Sequence, residues 1–203
     1  ADSRRKVLAQ YSGQRIVDMV KEDLKPSDIL TRSAFENAIK VNAAIGGSTN
    51  FVIHLLAIAG RIGVDLTLED FHQYSENIPL LANLQPSGKY FMEDFYYAGG
   101  LLGMMTRLVK FLDLSQINAS GKTWAESLEG AQIFNDDVIR TLDNAIYQEG
   151  ALAVLKGNLA PDGCVMKPSA AAPHLLKHSG PALVFDDYPA LKAAVDRDNL
   201  LTR

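Results

Sequence analysis

The stretch Asn42-Ala43-Ala44-Ile45-Gly46-Gly47-Ser48-Thr49-Asn50, with the apolar run Phe51 to Gly60 (FVIHLLAIAG) behind it, decides how this chain is read. Only His54 interrupts the run with a strongly polar side chain. A helix that is apolar on nearly every face is a buried helix, so the run predicts one over Asn50 to Ile62. Gly46 and Gly47 permit backbone angles closed to other residues. Ser48, Thr49 and Asn50 are all good N-cap types, able to satisfy the orphan amides of a first turn. Glycines leading into a capped helix are the ingredients of an anion site, because first-turn amides and the helix dipole both favour negative charge. The same residues equally make a tight turn between packed helices, and a glycine-to-helix junction taken singly is a weak motif. His54 reads as a core histidine hydrogen-bonded to backbone, since buried polar groups normally find such partners.

Upstream, Ser3 to Leu24 carries apolar residues at roughly helical spacing, with Gly13 expected to weaken or bend the middle. Lys25-Pro26-Ser27-Asp28 reads as a breaker, and Leu30 to Ile45 as a second helix capped by Thr31. Downstream, Thr67 opens a short helix to about Ser75, and Ile78 to Leu84 (IPLLANL) reads as a short buried strand. Tyr90 to Phe111 predicts two helices, or one broken at Gly99-Gly100. Gly121 to Glu126 opens another short helix, and Gly130 to Asp143 reads as a connector.

After Gly150 the character changes. Leu152 to Leu155, Cys164 to Met166 and Ala182 to Phe185 are strand-like runs. Pro161-Asp162-Gly163 is a strong turn signal, expected to close a hairpin near 161–163, and Tyr188 to Val195 reads as a final helix. The boundary therefore falls near 145–150, with a helix-rich part before it and a β-rich part after it, packed apart from the helices.

The 203 residues are 47% hydrophobic and 22% charged, an ordinary globular profile, and the net charge of −4 points to neither nucleic acid nor a polybasic membrane partner. The N-terminal segment is amphipathic rather than the apolar core of a signal peptide, and the longest apolar run falls short of a membrane span. The single cysteine, Cys164, fits a reducing, cytoplasmic setting. The chain begins with Ala1 rather than Met, as an internal piece or a processed product would.

Few residues invite chemistry. His174 and His178 stand at metal-binding spacing, but Pro173 and Gly180 suggest a turn, and no carboxylate accompanies them at motif spacing. They read as surface or helix-end histidines. Glu93-Asp94 and Asp136-Asp137 are neighbours that do not face each other on a helix, so solvated charge or capping is their expected role. Cys164 reads as a small buried thiol on a strand, unreactive in the folded chain. Lys167 could either snorkel or bind a carboxylate.

Four stretches together carry a resemblance that covers nearly the whole chain in order. They are LTRSAFENAI (30–39), NAAIGGSTNFVIHLLAIAGRIGVDLTLEDF (42–71), LQPSGKYFMEDFYYAGG (84–100) and LAVLKGNLAPDGCVMKPSAA (152–171). They resemble the dihydroxy-acid and phosphogluconate dehydratases, a family that includes sugar-acid dehydratases. The resemblance implies an α/β fold: residues 1–147 as the helix-rich end of an α/β domain, and 148–203 as the start of a β-rich, barrel-like swivelling domain. It implies a hydro-lyase turning a small sugar acid or dihydroxy acid into a 2-keto acid, and the FYYAGG stretch leans towards sugar acids. It implies an iron–sulfur cluster, 2Fe–2S in preference to 4Fe–4S, and magnesium in the complete enzyme. It implies a cytoplasmic homo-oligomer, dimer or tetramer, with no nucleic-acid or membrane partner. The family's cysteine motifs belong upstream of Ala1, and its late glutamate and serine motif downstream of Arg203. No catalytic or metal-binding residue therefore transfers to this chain, which alone is expected to be inactive. Ser48, Thr49 and Asn50 are the candidate substrate-binding residues, through the affinity of a helix start for a carboxylate. The alternative is a non-catalytic scaffold or interaction module sharing the family's middle region.

Overall fold

The computed structural model describes residues 3–149 and 151–195. They belong to two compact units, Ala1–Ala171 and Ala172–Arg203. The first unit carries eight helices: α1 (Arg4–Lys21), α2 (Pro26–Ile29), α3 (Arg32–Ile45), α4 (Asn50–Ile62), α5 (Leu68–Ser75), α6 (Met92–Tyr97), α7 (Gly100–Arg107) and α8 (Trp124–Leu128). A two-stranded antiparallel sheet follows, β1 (Ala153–Gly157) and β2 (Ala160–Met166). The second unit has a 3-10 turn at Pro173–Leu175 and α9 (Tyr188–Val195), where the Asp187 carboxylate accepts from the Ala190 N–H at 2.8 Å. The described residues are thus helix-rich with one small sheet, and none of their helices is long and apolar enough to cross a membrane.

Helix α3 organises the first unit because its buried stripe is shared. Phe35, Ile39 and Ala43 recur every four residues, one face of a helix. Ile39 packs with Val52 of α4, Phe71 of α5 and Leu152. Ala43 and Ala44 belong instead to the larger cluster built with Leu81, Phe95, Met104, Leu108 and Ile139. The N-terminus of α3 is set by Thr31, whose Oγ1 accepts from the Ala34 N–H at 3.2 Å.

The segment 78–84 is the spine of the larger cluster. It is buried and extended, as its composition predicts, but it pairs through isolated bridges, Leu80 with Tyr147 and Ala82 with Ile139, rather than in a continuous ladder. Both the Leu81 and the Ala82 N–H groups donate to the Ala44 carbonyl, at 2.8 and 3.2 Å. The spine is thereby fastened to the end of α3.

Several expectations are corrected. Gly13 does not divide α1, which runs unbroken through Arg4–Lys21, and the Lys25–Asp28 breaker holds the one-turn helix α2, with Pro26 at its first position. Helix α4 has the expected span but is not a buried helix: only Val52 and Ala59 are buried, and Ile53 is 68% exposed. An apolar run says how much surface could be buried, not that this chain buries it. His54 lies on that exposed side and is no core histidine.

The hairpin turns at Asn158 and Leu159, not at Asp162-Gly163. Gly163 stands inside β2 at φ 101°, opposite an irregularity between Leu155 and Gly157. The positive angle that makes Asp-Gly a turn signal serves a bulge here. The hairpin is not packed apart: Val154 and Val165, directly opposite each other, lie against the cluster of Phe71 and Leu152. The Ser75 hydroxyl, wholly buried, donates to the Leu152 carbonyl at 3.2 Å. Alternation along the strands sends the next pair, Leu155 and Cys164, to the other face, so Cys164 is exposed rather than buried. Ala182 to Phe185 forms no strand, having no ladder partner among the described residues.

Candidate functional site

The junction between α3 and α4 is built by local rules. Gly46 closes α3 in the left-handed conformation, at φ 65°. The Gly46 N–H donates to the Ala43 carbonyl and the Gly47 N–H to the Asn42 carbonyl, at 3.2 and 3.0 Å. This is the paired closure that ends many helices on glycine. A Cβ on Gly47 would stand 2.0 Å from Asn42 Oδ1, so any larger residue there would have to displace the Asn42 side chain. Beyond it, Ser48 Oγ accepts from the Asn50 N–H at 3.2 Å and starts α4.

The three candidate residues therefore differ. The Ser48 hydroxyl is the cap. Thr49 stands at the helix boundary, yet its hydroxyl makes no cap bond. Asn50 is the first helical residue and is exposed. Among the described residues, the Ser48 and Thr49 N–H groups have no acceptor. The first turn itself is satisfied: the Asn50 N–H donates to Ser48 Oγ, the Phe51 N–H to the Ser48 carbonyl and the Val52 N–H to the Thr49 carbonyl.

The junction borders a cavity of about 620 Å³, lined by Gly46, Gly47, Ser48 and Thr49 together with Ile45, Leu84, Gln85, Pro86, Met92, Lys167 and Ala170. Asn50 does not line it. Its walls come from the α3–α4 junction, the end of the spine, the start of α6 and the residues just past β2. The one charged side chain is Lys167, whose Nζ donates to the Gly46 carbonyl at 2.5 Å. Burial pushes the Lys167 ammonium below its ordinary lysine range. No described carboxylate lies within ion-pair distance of it.

A second cavity of about 570 Å³ lies along α3 between Leu30, Val41, Leu101 and Trp124 and is lined by no charged residue. The acid pairs act as caps and surface ions: Asp94 accepts from the Phe91 N–H at 2.8 Å, and Asp136 pairs with Arg107 at 2.5 Å. His174 and His178 are exposed. The described residues bring together no group of three or more His, Cys, Asp or Glu side chains. Tyr96 and Tyr97 of the FYYAGG stretch flank the Arg4 guanidinium instead of entering the first cavity. Gln85, Pro86, Met92 and Ala170 were not legible as cavity residues, because their meeting depends on three separated segments.

The cavity is thus lined by one cation, two hydroxyl side chains and otherwise mostly apolar groups. The chain belongs to the dihydroxy-acid/6-phosphogluconate dehydratase family: the model for that family's N-terminal domain matches residues 1–127, and the model for its C-terminal domain matches residues 137–202. Among relatives, the L-arabinonate dehydratase of Rhizobium leguminosarum bv. trifolii is 54% identical over 98% of this chain and 35% of its own length. The 6-deoxy-6-sulfo-D-gluconate dehydratase of Pseudomonas putida is 47% identical over 97% of this chain and 34% of its own. The dihydroxy-acid dehydratase of Caldicellulosiruptor bescii is 46% identical over 88% of this chain and 33% of its own. The chain thus spans about a third of the length of these relatives.

Proposed function

We propose that this chain is the middle portion of a hydro-lyase that dehydrates a sugar acid to a 2-keto acid. Its own contribution is part of the acid's seat, through Ser48 and Thr49. The observation that carries the substrate class is the 54% identity with an L-arabinonate dehydratase across 98% of the chain. The cavity supports the role given to the α3–α4 junction, since Ser48 and Thr49 both line it and carry hydroxyls that can donate to an acid. Asn50 is left out of that role because it does not border the cavity.

Residues 1–147 are assigned to an α/β domain, and 148–203 to the start of a β-rich, barrel-like one, of which the β1–β2 hairpin is the first piece. The iron–sulfur cluster, in the 2Fe–2S form, and magnesium are assigned to the complete protein. The described residues do not fit either group: the one cysteine is exposed and no ligand cluster forms around it.

The test is kinetic and uses the complete protein. L-arabinonate should be dehydrated with a higher kcat/KM than a branched 2,3-dihydroxy acid; the reverse order would overturn the substrate class. Thr49→Ala separates seat from scaffold. Its hydroxyl makes no cap bond, so melting should barely change while KM for the acid rises. An unchanged KM in folded Ser48→Ala and Thr49→Ala would remove both residues from the seat.

A further inference from the structure

We infer that residues 138–167 form a clasp: they belong in sequence to the family's C-terminal domain, but they fold and open together with the helices of its N-terminal domain. The N-terminal match covers residues 1–127 and the C-terminal match residues 137–202. Boundaries between domains fall where few contacts cross. Here the crossing contacts are backbone bonds and core packing. The Asn83 N–H donates to the Val138 carbonyl and the Arg140 N–H to the Leu81 carbonyl, both at 2.9 Å. The Leu80 N–H donates to the Tyr147 carbonyl and the Ile146 N–H to the Leu80 carbonyl, again at 2.9 Å. Val138 and Ile139 are buried in the same cluster as Leu81. The compact unit runs on to Ala171.

The hairpin needs the same support. Two strands alone are marginally stable in water. Val154 and Val165 pack with Phe71 of α5 and with Leu152. Ser75 Oγ lies 2.5 Å from the Phe71 carbonyl and 3.2 Å from the Leu152 carbonyl, so one hydroxyl reaches both helix and strand. Gly163 lets β2 come this close, since a Cβ there would stand 3.3 Å from Leu68 Cδ1. At the solvent edge Lys156 of β1 pairs with Glu69 of α5 at 2.8 Å. Past β2, Lys167 Nζ donates to the Gly46 carbonyl at the end of α3. The other face of the hairpin, with Leu155 and Cys164, is exposed. The clasp goes beyond the domain assignment above and can fail without it, because a hairpin can open a barrel in sequence and still be seated on other helices.

The experiment is hydrogen exchange read by mass spectrometry on the complete protein. Val165→Ala should speed exchange about 10-fold in peptides covering both 152–166 and 68–77, while peptides beyond 172 keep the parent's rates. In the parent, rising sub-denaturing urea should open 152–166 and 68–77 as one unit, a measurement that stands even if the variant fails to fold. A rise confined to the hairpin, a rise shared with the residues beyond 172, or no rise at all would overturn the clasp. So would a hairpin that opens in urea with the residues beyond 172 and not with α5.

Discussion

Gly46 joins three roles in one residue: the left-handed end of α3, the carbonyl that holds Lys167, and the gap beside Leu80. Gly46→Ala should cost about 1–2 kcal/mol for the left-handed backbone alone. The added methyl also meets Leu80 Cδ1 at 2.8 Å, so denaturant unfolding should show a loss above that range. A variant as stable as the parent would contradict the geometry. Cys164 makes a second test at this scale. It stands on the uncovered face of the hairpin, so a thiol reagent should label it in the folded chain nearly as fast as in denaturant. Slow labelling would mean that something covers that face. Capping at Ser48 was legible in the sequence because a cap is a local matter. The exposure of Cys164 and His54 was not, because exposure depends on what packs opposite, and a single stretch does not carry that.

Helix α5 shows how one carboxylate serves two elements. Asp70 accepts from the Thr67 N–H at 2.7 Å, closing the start of α5, and pairs with Arg32 of α3. Burial works against its charged form, but the bonds from Arg32 and Thr67 outweigh it and hold the carboxyl below its ordinary value. A carboxyl depressed in the folded state stabilises the fold above its unfolded pKa, near 3.9 for aspartate. That contribution is lost as pH falls through this value towards the lower folded one. Asp70→Asn should therefore cost about 1.5–3 kcal/mol at neutral pH. The difference between parent and variant should shrink near pH 3, as measured by urea midpoints at both pH values; a constant difference would exclude the charge as its source. Helix α8 gives a simpler case. Thr123 Oγ1 accepts from the Glu126 N–H at 3.2 Å while Glu126 accepts from the Thr123 N–H at 2.8 Å. Thr123→Ala should lower stability by about 0.5–2 kcal/mol. Elements of this kind were legible, since caps and periodicity lie within a few residues. The Asp-Gly bulge was misread because the pair signals only a positive φ, and a turn and a bulge both use one.

The first compact unit is held by its spine. Leu81 is wholly buried among Ala44, Phe95 and Ile139, and Leu81→Ala should cost about 2–5 kcal/mol by transfer and cavity terms together. A loss under that range in urea unfolding would show that the cluster collapses around the gap. The spine was legible as buried and extended, but its partners at 138–140 lie in the stretch 130–143 that reads as a connector, and Tyr147 lies just beyond it, so the pairing was not. The bond between Lys167 and Gly46, 121 residues apart, has a consequence in time. Closing so long a loop is entropically costly, whereas a helix turn closes over four residues. Contacts between distant positions form slowly for that reason. After dilution from denaturant, helical circular dichroism should recover first, and the native NMR signal of the Lys167 side chain should return in a later phase. During that interval the chain would already hold most of its helices while one wall of its cavity is still missing.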